Sequence, residues 1–202
     1  MISIKNLHKS YKTKDLETTV LRGIDLEVKG GEFLGIMGKS GAGKSTLMYQ
    51  IGLLDHPTSG EIILNGISAE KLTTEERTNL RLSTLGYVFQ DYALIPELSA
   101  GENVMISLLM QGKSFSEAKN ITMDVLSRVG LSHRIDNKPG QLSGGEQQRV
   151  SIARAVAHNP TILFADEPTA NLDSISGQSV IELFKDLNSK GQTIVMVTHE
   201  EE

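Results

Sequence analysis

Eight consecutive residues, Gly38-Lys39-Ser40-Gly41-Ala42-Gly43-Lys44-Ser45, have the spacing of a loop built to hold phosphate. Glycine lets the backbone curl until successive N–H groups point at phosphate oxygens, and a helix opening near Lys44 adds the positive end of its dipole. The apolar run Phe33 to Met37 leads into the loop, which is the setting the pattern requires. Lys44 would then reach the β- and γ-phosphates of a nucleotide. Ser45 would hold Mg²⁺, and Thr46 would donate to the α-phosphate.

Far downstream, Thr161-Ile162-Leu163-Phe164-Ala165-Asp166-Glu167 reads as an apolar strand ending in two carboxylates. Burying that strand with Asp166 at its tip puts a negative charge beside the loop, where it can order Mg²⁺ directly or through water. Glu167 is placed to take a proton from the attacking water, a role worth roughly 10²–10⁴ in rate. Between these elements lies Leu142-Ser143-Gly144-Gly145-Glu146-Gln147-Gln148-Arg149. Ser143 and Glu146 form a capping box for a helix continuing through Ile152 and Ala155. The two glycines after the cap leave backbone N–H groups unshielded, so this helix start reads as a second anion site. A GTPase or an adenylate-kinase-like phosphotransferase has no use for it.

The elements that position these residues follow from periodicity. Ile2, Ile4 and Leu7, then Leu26 and Val28, then Phe33 to Met37 read as short strands, separated by the polar stretch Lys12 to Thr19 and the turn Lys29-Gly30-Gly31. Glu61 to Leu64 and Gly86 to Phe89 are further strands, and Thr73-Thr74-Glu75-Glu76 caps a polar helix. From about Ala100 to Gly140 the spacing turns helical, with Ser114 to Glu117 capping a second segment that Gly130 ends. This reads as a helical insertion in a sheet domain. The strands at Thr161 to Ala165 and Thr193 to Val197 flank an amphipathic helix carrying Val180, Ile181, Leu183, Phe184 and Leu187. Strand, helix, strand in that order favours an α/β fold with a parallel sheet covered by helices.

Composition narrows the partners. A length of 202 residues suits one domain, perhaps with a smaller lobe. A formal net charge of −5 with scattered Lys and Arg argues against nucleic acid as the main partner. The absence of cysteine excludes disulfides and thiolate chemistry and fits a reducing cytoplasm. The longest apolar runs are strand-length, far short of the roughly 20 residues of a membrane span. Met-Ile-Ser-Ile-Lys has no signal-peptide character.

These motifs, in this order, resemble the ABC ATPase family over essentially the whole chain, with the family signature matched by Leu142 to Gln147. The resemblance implies a P-loop NTPase core with a mostly parallel sheet, an N-terminal antiparallel β subdomain and an α-helical subdomain at about 91–140. It implies ATP and Mg²⁺ as ligands. Tyr11 is similar to the aromatic that stacks on adenine. Gln90 is similar to the Q-loop glutamine that touches Mg²⁺ or the lytic water and senses a permease, and Ala170-Asn171-Leu172-Asp173 to the D-loop at the dimer interface. His199, in Val197-Thr198-His199-Glu200, is similar to the switch histidine on the γ-phosphate. Each ATP is then enclosed between the Gly38–Thr46 loop of one subunit and the Ser143, Gly144, Gly145 and Glu146 helix start of another, in a homodimer or a dimer with a paralogue.

The stretches Gly52 to Glu61, Leu85 to Gln90 and Asp166 to Ser174 look like the ATPases of lipoprotein release and macrolide export. Those pair with four-span permeases of the mechanotransmission type, which implies a cytoplasmic protein held at the inner face of the membrane. The rival within the family, a soluble ATPase of DNA repair or translation, carries a long coiled coil or two cassettes per chain, and neither occurs here. Two departures stand out. Lys39 occupies a position where these proteins usually have Pro, adding a cation that faces either the phosphates or solvent. The family also continues through further strands and a helix past the position of Glu202, so a truncated C-terminus is expected.

Overall fold

The computed structural model describes residues 1–14 and 16–199. Glu200, the last member of the His199 stretch, lies outside the described residues. Among the described residues eight strands occur in the order β1 (Ile2–Lys12), β2 (Glu17–Val28), β3 (Phe33–Met37), β4 (Ser59–Leu64), β5 (Ile67–Ser68), β6 (Leu85–Val88), β7 (Ile162–Asp166) and β8 (Thr193–Thr198). The helices are α1 (Lys44–Ile51), α2 (Thr74–Thr84), α3 (Ala100–Met110), α4 (Phe115–Arg128), α5 (Gly144–Val156) and α6 (Ser174–Ser189). One sheet is antiparallel, β2-β1-β4-β5. The other, β3-β8-β7-β6, is parallel throughout.

The central strands β7 and β8 are buried on both faces, which is why they read as unbroken apolar runs, while the edge strand β3 is partly exposed. Side-chain alternation sorts them. Ile162, Phe164, Val195 and Val197 pack with Leu47, Met48 and Ile51 of α1 and with the antiparallel sheet. Leu163, Ala165, Ile194 and Met196 pack on the other face with Ile152 of α5 and with Val180 and Phe184 of α6. A separate apolar cluster joins α3 and α4 to α5 through Val104, Leu108, Leu126 and Val150. The helix that begins at Ser143 is thereby shared between the sheet and the inserted helices.

Three details differ from the sequence reading. β1 and β2 are long, 11 and 12 residues, and the polar stretch Lys12 to Thr19 contributes to both. Tyr11 pairs with Thr18 and Lys12 with Glu17, since the ladder is made by backbone groups and persists after the side chains have left the core. β6 ends at Val88, one residue before the expected end, so Gln90 lies in a turn beyond the strand. The glycines at the start of α5 are not both open to solvent. Gly145 is buried, and a Cβ there would lie 3.0 Å from the Ser176 hydroxyl of α6. The capping boxes at Thr73 and Ser143 form as expected, and Ser114 accepts from the Glu117 N–H.

Candidate nucleotide-binding site

β3 delivers the chain to the glycine loop and α1 leaves it. Gly43 is the residue before α1, with φ of 91°, and a Cβ there would meet Val20 Cγ1 at 2.8 Å. Both the left-handed backbone and the close approach of β2 therefore require glycine at this position. The first turn of α1 carries no acidic side chain, which leaves its N–H groups and dipole for an external anion. Lys44 is buried and folds back across the loop, its Nζ donating to the Gly38 carbonyl at 2.8 Å and the Lys39 carbonyl at 3.3 Å. The Lys39 side chain is exposed.

Opposite the loop stand the ends of β7 and β8. The Ser45 hydroxyl donates to one oxygen of Asp166 at 2.9 Å. Glu167 follows the strand with φ of 46°, in the left-handed region that a residue with a side chain rarely holds, and its N–H donates to the Val197 carbonyl at 2.9 Å. Such geometry costs about 1–3 kcal/mol and is found where a site dictates it. Here it turns the Glu167 carboxylate onto His199, with Oε1 to Nε2 at 2.5 Å. Lys44 Nζ stands 3.4 Å from both ring nitrogens of His199. Lys44, Glu167 and His199 line a cleft of about 310 Å³ whose floor is Ser40 to Thr46, and Asp166 meets it through Ser45. A cation, a helix start and a backbone cradle thus meet a carboxylate and an imidazole, the components for binding phosphate and moving one proton.

Tyr11 stands on β1 outside that cleft. Its hydroxyl donates to Asp55 at 3.0 Å, and Lys9 Nζ lies 4.7 Å from the ring centroid. Burial raises the Tyr11 pKa first, and the Asp55 hydrogen bond and charge add to it. Asp55 also accepts from Lys9 at 2.8 Å, Gln50 at 2.9 Å and the His56 N–H at 2.6 Å. Burial pushes its carboxyl up, but these donors outweigh it and bring the pKa to about 2.

The remaining predicted residues stand apart from the cleft within one chain. The Gln90 side chain is exposed and its carbonyl accepts from Asn171 at 2.9 Å. Ser143 spends its hydroxyl on the Glu146 N–H at 3.2 Å, while Glu146 accepts from the Ser143 N–H at 2.8 Å and from Arg134 at 2.9 Å. The backbone hydrogen bond lowers the Glu146 pKa, and Arg134 lowers it further against the effect of burial. Asp173 caps α6, accepting from the N–H groups of Ile175 and Ser176, and these bonds lower its pKa.

Tyr49 was not among the predicted residues. It lies one turn after Ser45 on α1, and its hydroxyl donates to the second oxygen of Asp166 at 2.9 Å. Burial, then the Asp166 hydrogen bond and charge, push its pKa up to about 12. The i, i+4 spacing of two hydroxyls was the available signal. For a metal, the donor set here is a hydroxyl and a carboxylate, the hard oxygens that suit Mg²⁺. Among the described residues no group of three or more His, Cys, Asp or Glu could hold an ion alone, so oxygens from outside the chain, of water or phosphate, would complete its shell.

Comparison with known proteins agrees with this geometry. The family model for the ABC transporter matches residues 21–170. The lipoprotein-releasing system ATP-binding protein LolD of Aquifex aeolicus is 52% identical over 183 residues, covering 91% of this chain and 82% of that protein. The macrolide export ATP-binding/permease protein MacB of Bdellovibrio bacteriovorus is 46% identical over 202 residues, and the chain spans only 31% of its length. Among solved structures, the dimeric post-hydrolysis state of the ATP-binding cassette MJ0796, bound to ADP and phosphate, matches with a TM-score of 0.91 at 43% identity. That match covers 99% of this chain and 88% of the other.

Proposed function

Because the chain belongs to the ABC transporter family, we propose that it is the ATP-hydrolysing subunit of a LolD- or MacB-like transporter, dimerising on ATP to drive a separate membrane permease. The observation that carries this reading is the convergence of Lys44, Ser45, Asp166, Glu167 and His199 around a single glycine-lined cleft. The relatives named for lipoprotein release and macrolide export suggest an amphipathic cargo.

In this reading the loop N–H groups and Lys44 grip the β- and γ-phosphates, exchanging the Lys44 bonds to Gly38 and Lys39 for phosphate oxygens. Ser45 and Asp166 would hold Mg²⁺, which when bound supplies charge neutralisation on the phosphates. Glu167 exchanges its contact with His199 for a water and accepts a proton from it. The water oxygen forms a bond to the γ-phosphorus, and the bond from that phosphorus to the ADP oxygen breaks, its electron pair leaving with ADP. His199, freed from Glu167, donates to the γ-phosphate. Tyr11 offers its ring to adenine.

The Ser143 helix start meets the γ-phosphate of the facing subunit, with Gly144, Gly145 and Glu146 shaping that contact and Asp173 at the interface. The dimeric state of MJ0796 supports the pairing of two subunits. Gln90 would hold the metal or the lytic water and report to the permease. Beside its loop, Tyr87, Phe89, Ala93 and Arg154 line a cleft of about 260 Å³ that would seat a segment of a four-span permease. No helix among the described residues is long and apolar enough to cross a membrane, so attachment to the inner face would run through that partner.

Glu167→Gln is the test. Hydrolysis should fall by about 10²–10⁴ while ATP binding persists, and gel filtration with ATP should show a dimer that the unmutated protein does not accumulate. Near-normal turnover, or a monomer at saturating ATP, contradicts the reading.

A further inference from the structure

Asp166 has two carboxylate oxygens, and α1 supplies a hydroxyl donor to each. Ser45 donates to Oδ1 and Tyr49 to Oδ2, both at 2.9 Å. The two donors lie four residues apart and therefore on one face of the helix. Their tasks differ. Ser45 has a direct claim on the ion, because its oxygen keeps lone pairs while its proton goes to Asp166. Tyr49 sits a turn further from the loop and is not among the residues that line the cleft, so its reach toward a nucleotide runs through Asp166. Its hydroxyl finds its acceptor in Asp166, and its ring packs against the apolar core beneath the sheets.

A carboxylate at a strand tip can rotate about its last bond. With one donor on each oxygen, from a helix that is itself packed on the sheet, that rotation is closed off. Partners of this kind tune metal affinity without touching the metal.

We propose that Tyr49 is a positioning residue for the metal: its hydroxyl locks the Asp166 carboxylate in the orientation that receives the ion arriving with ATP. The proposal rests on the reading of this cleft as a Mg²⁺-ATP site.

The experiment measures ATP affinity by calorimetry with Mg²⁺ and again with EDTA, in a Glu167→Gln background that does not turn over. The ratio of the two affinities is the metal's contribution. Tyr49→Phe, which keeps the ring and removes only the hydroxyl, should shrink that ratio by about tenfold. The affinity in EDTA and the unfolding midpoint of the free protein should barely move. Introduced into an Asp166→Asn background, the same change should have no further effect on the ratio, because Tyr49 acts through Asp166. An unchanged ratio, a parallel fall of both affinities, or an additive effect in the double variant would each overturn the proposal. If the Glu167→Gln protein with Tyr49 intact gains nothing from Mg²⁺, the nucleotide reading itself fails, and the role of Tyr49 with it.

Discussion

The two helix starts to which the proposed function assigns phosphate contacts are built in opposite ways. At α1 the residue before the helix is Gly43, no side chain among the described residues caps it, and the first turn has no acid. At α5 the cap is complete. Ser143 and Glu146 satisfy each other's backbone N–H groups, and Arg134 holds Glu146 in place. The first start has the form that would receive a phosphate directly, whereas the second is a capped helix end that would gain an anion only when one is brought to it. A half-site of this second kind cannot raise the affinity of a lone chain, and so it can make hydrolysis depend on assembly.

The largest expected effect tests that asymmetry directly. Ser143→Arg should lower turnover by about two to three orders of magnitude, the usual cost of losing a donor to transition-state charge. ATP affinity of the isolated chain should stay within a factor of about two, well inside the context spread of single-site effects. Calorimetry on monomer showing a large loss of affinity would mean that both helix starts serve one nucleotide within one chain.

The glycines sharpen the same contrast at a smaller scale. Gly43→Ala forces a side chain into left-handed backbone and against Val20, and should destabilise the fold by about 1–3 kcal/mol while weakening ATP binding. Gly144→Ala has no such backbone conflict. Its Cβ would meet the Tyr92 hydroxyl at 3.0 Å, the far end of a side chain that can shift. Urea denaturation should therefore find the Gly144 variant within about 0.5 kcal/mol of the parent. Equal losses in the two variants would erase the distinction.

What could be read from sequence follows from where each feature is encoded. The Gly38 to Ser45 loop is local, because backbone curvature and N–H presentation demand glycine at fixed spacing. The cap at Ser143 and the buried strand before Asp166 are equally local, as a four-residue box and an unbroken apolar run. The features that escaped notice are tertiary. They are the bond from Tyr49 to Asp166, made because β7 ends above α1, the burial of Gly145 against Ser176 of α6, and the left-handed backbone of Glu167, a residue whose role but not whose conformation could be read. The length of the β1–β2 ribbon was hidden for another reason: its outer rungs pair through backbone while their side chains are polar on both faces.

The smallest effect concerns the base side of the proposed nucleotide site, where Asp55 gathers Lys9, Gln50, Tyr11 and the His56 N–H. Its folded-state pKa, about 2, lies below the 3.8 of an unperturbed carboxyl. A depressed carboxylate contributes stability that is fully present above the unfolded value and drains away as pH falls through the folded one. The stability difference between the parent and Asp55→Asn should therefore be level above about pH 5, shrink below pH 4 and approach zero near pH 2. The carboxylate is a third exposed, so solvent screening holds the neutral-pH difference to about 1 kcal/mol or less. Urea midpoints between pH 5 and 3 read this trend, and a difference that grows on acidification would contradict it. Asp55→Asn should also weaken binding of ATP by a few-fold while leaving inorganic triphosphate unaffected, because the residue holds Tyr11 and not the phosphate loop. Equal weakening of both ligands would place Asp55 in the support of the phosphate cradle, and the preorganised half of the site would then end at the phosphates.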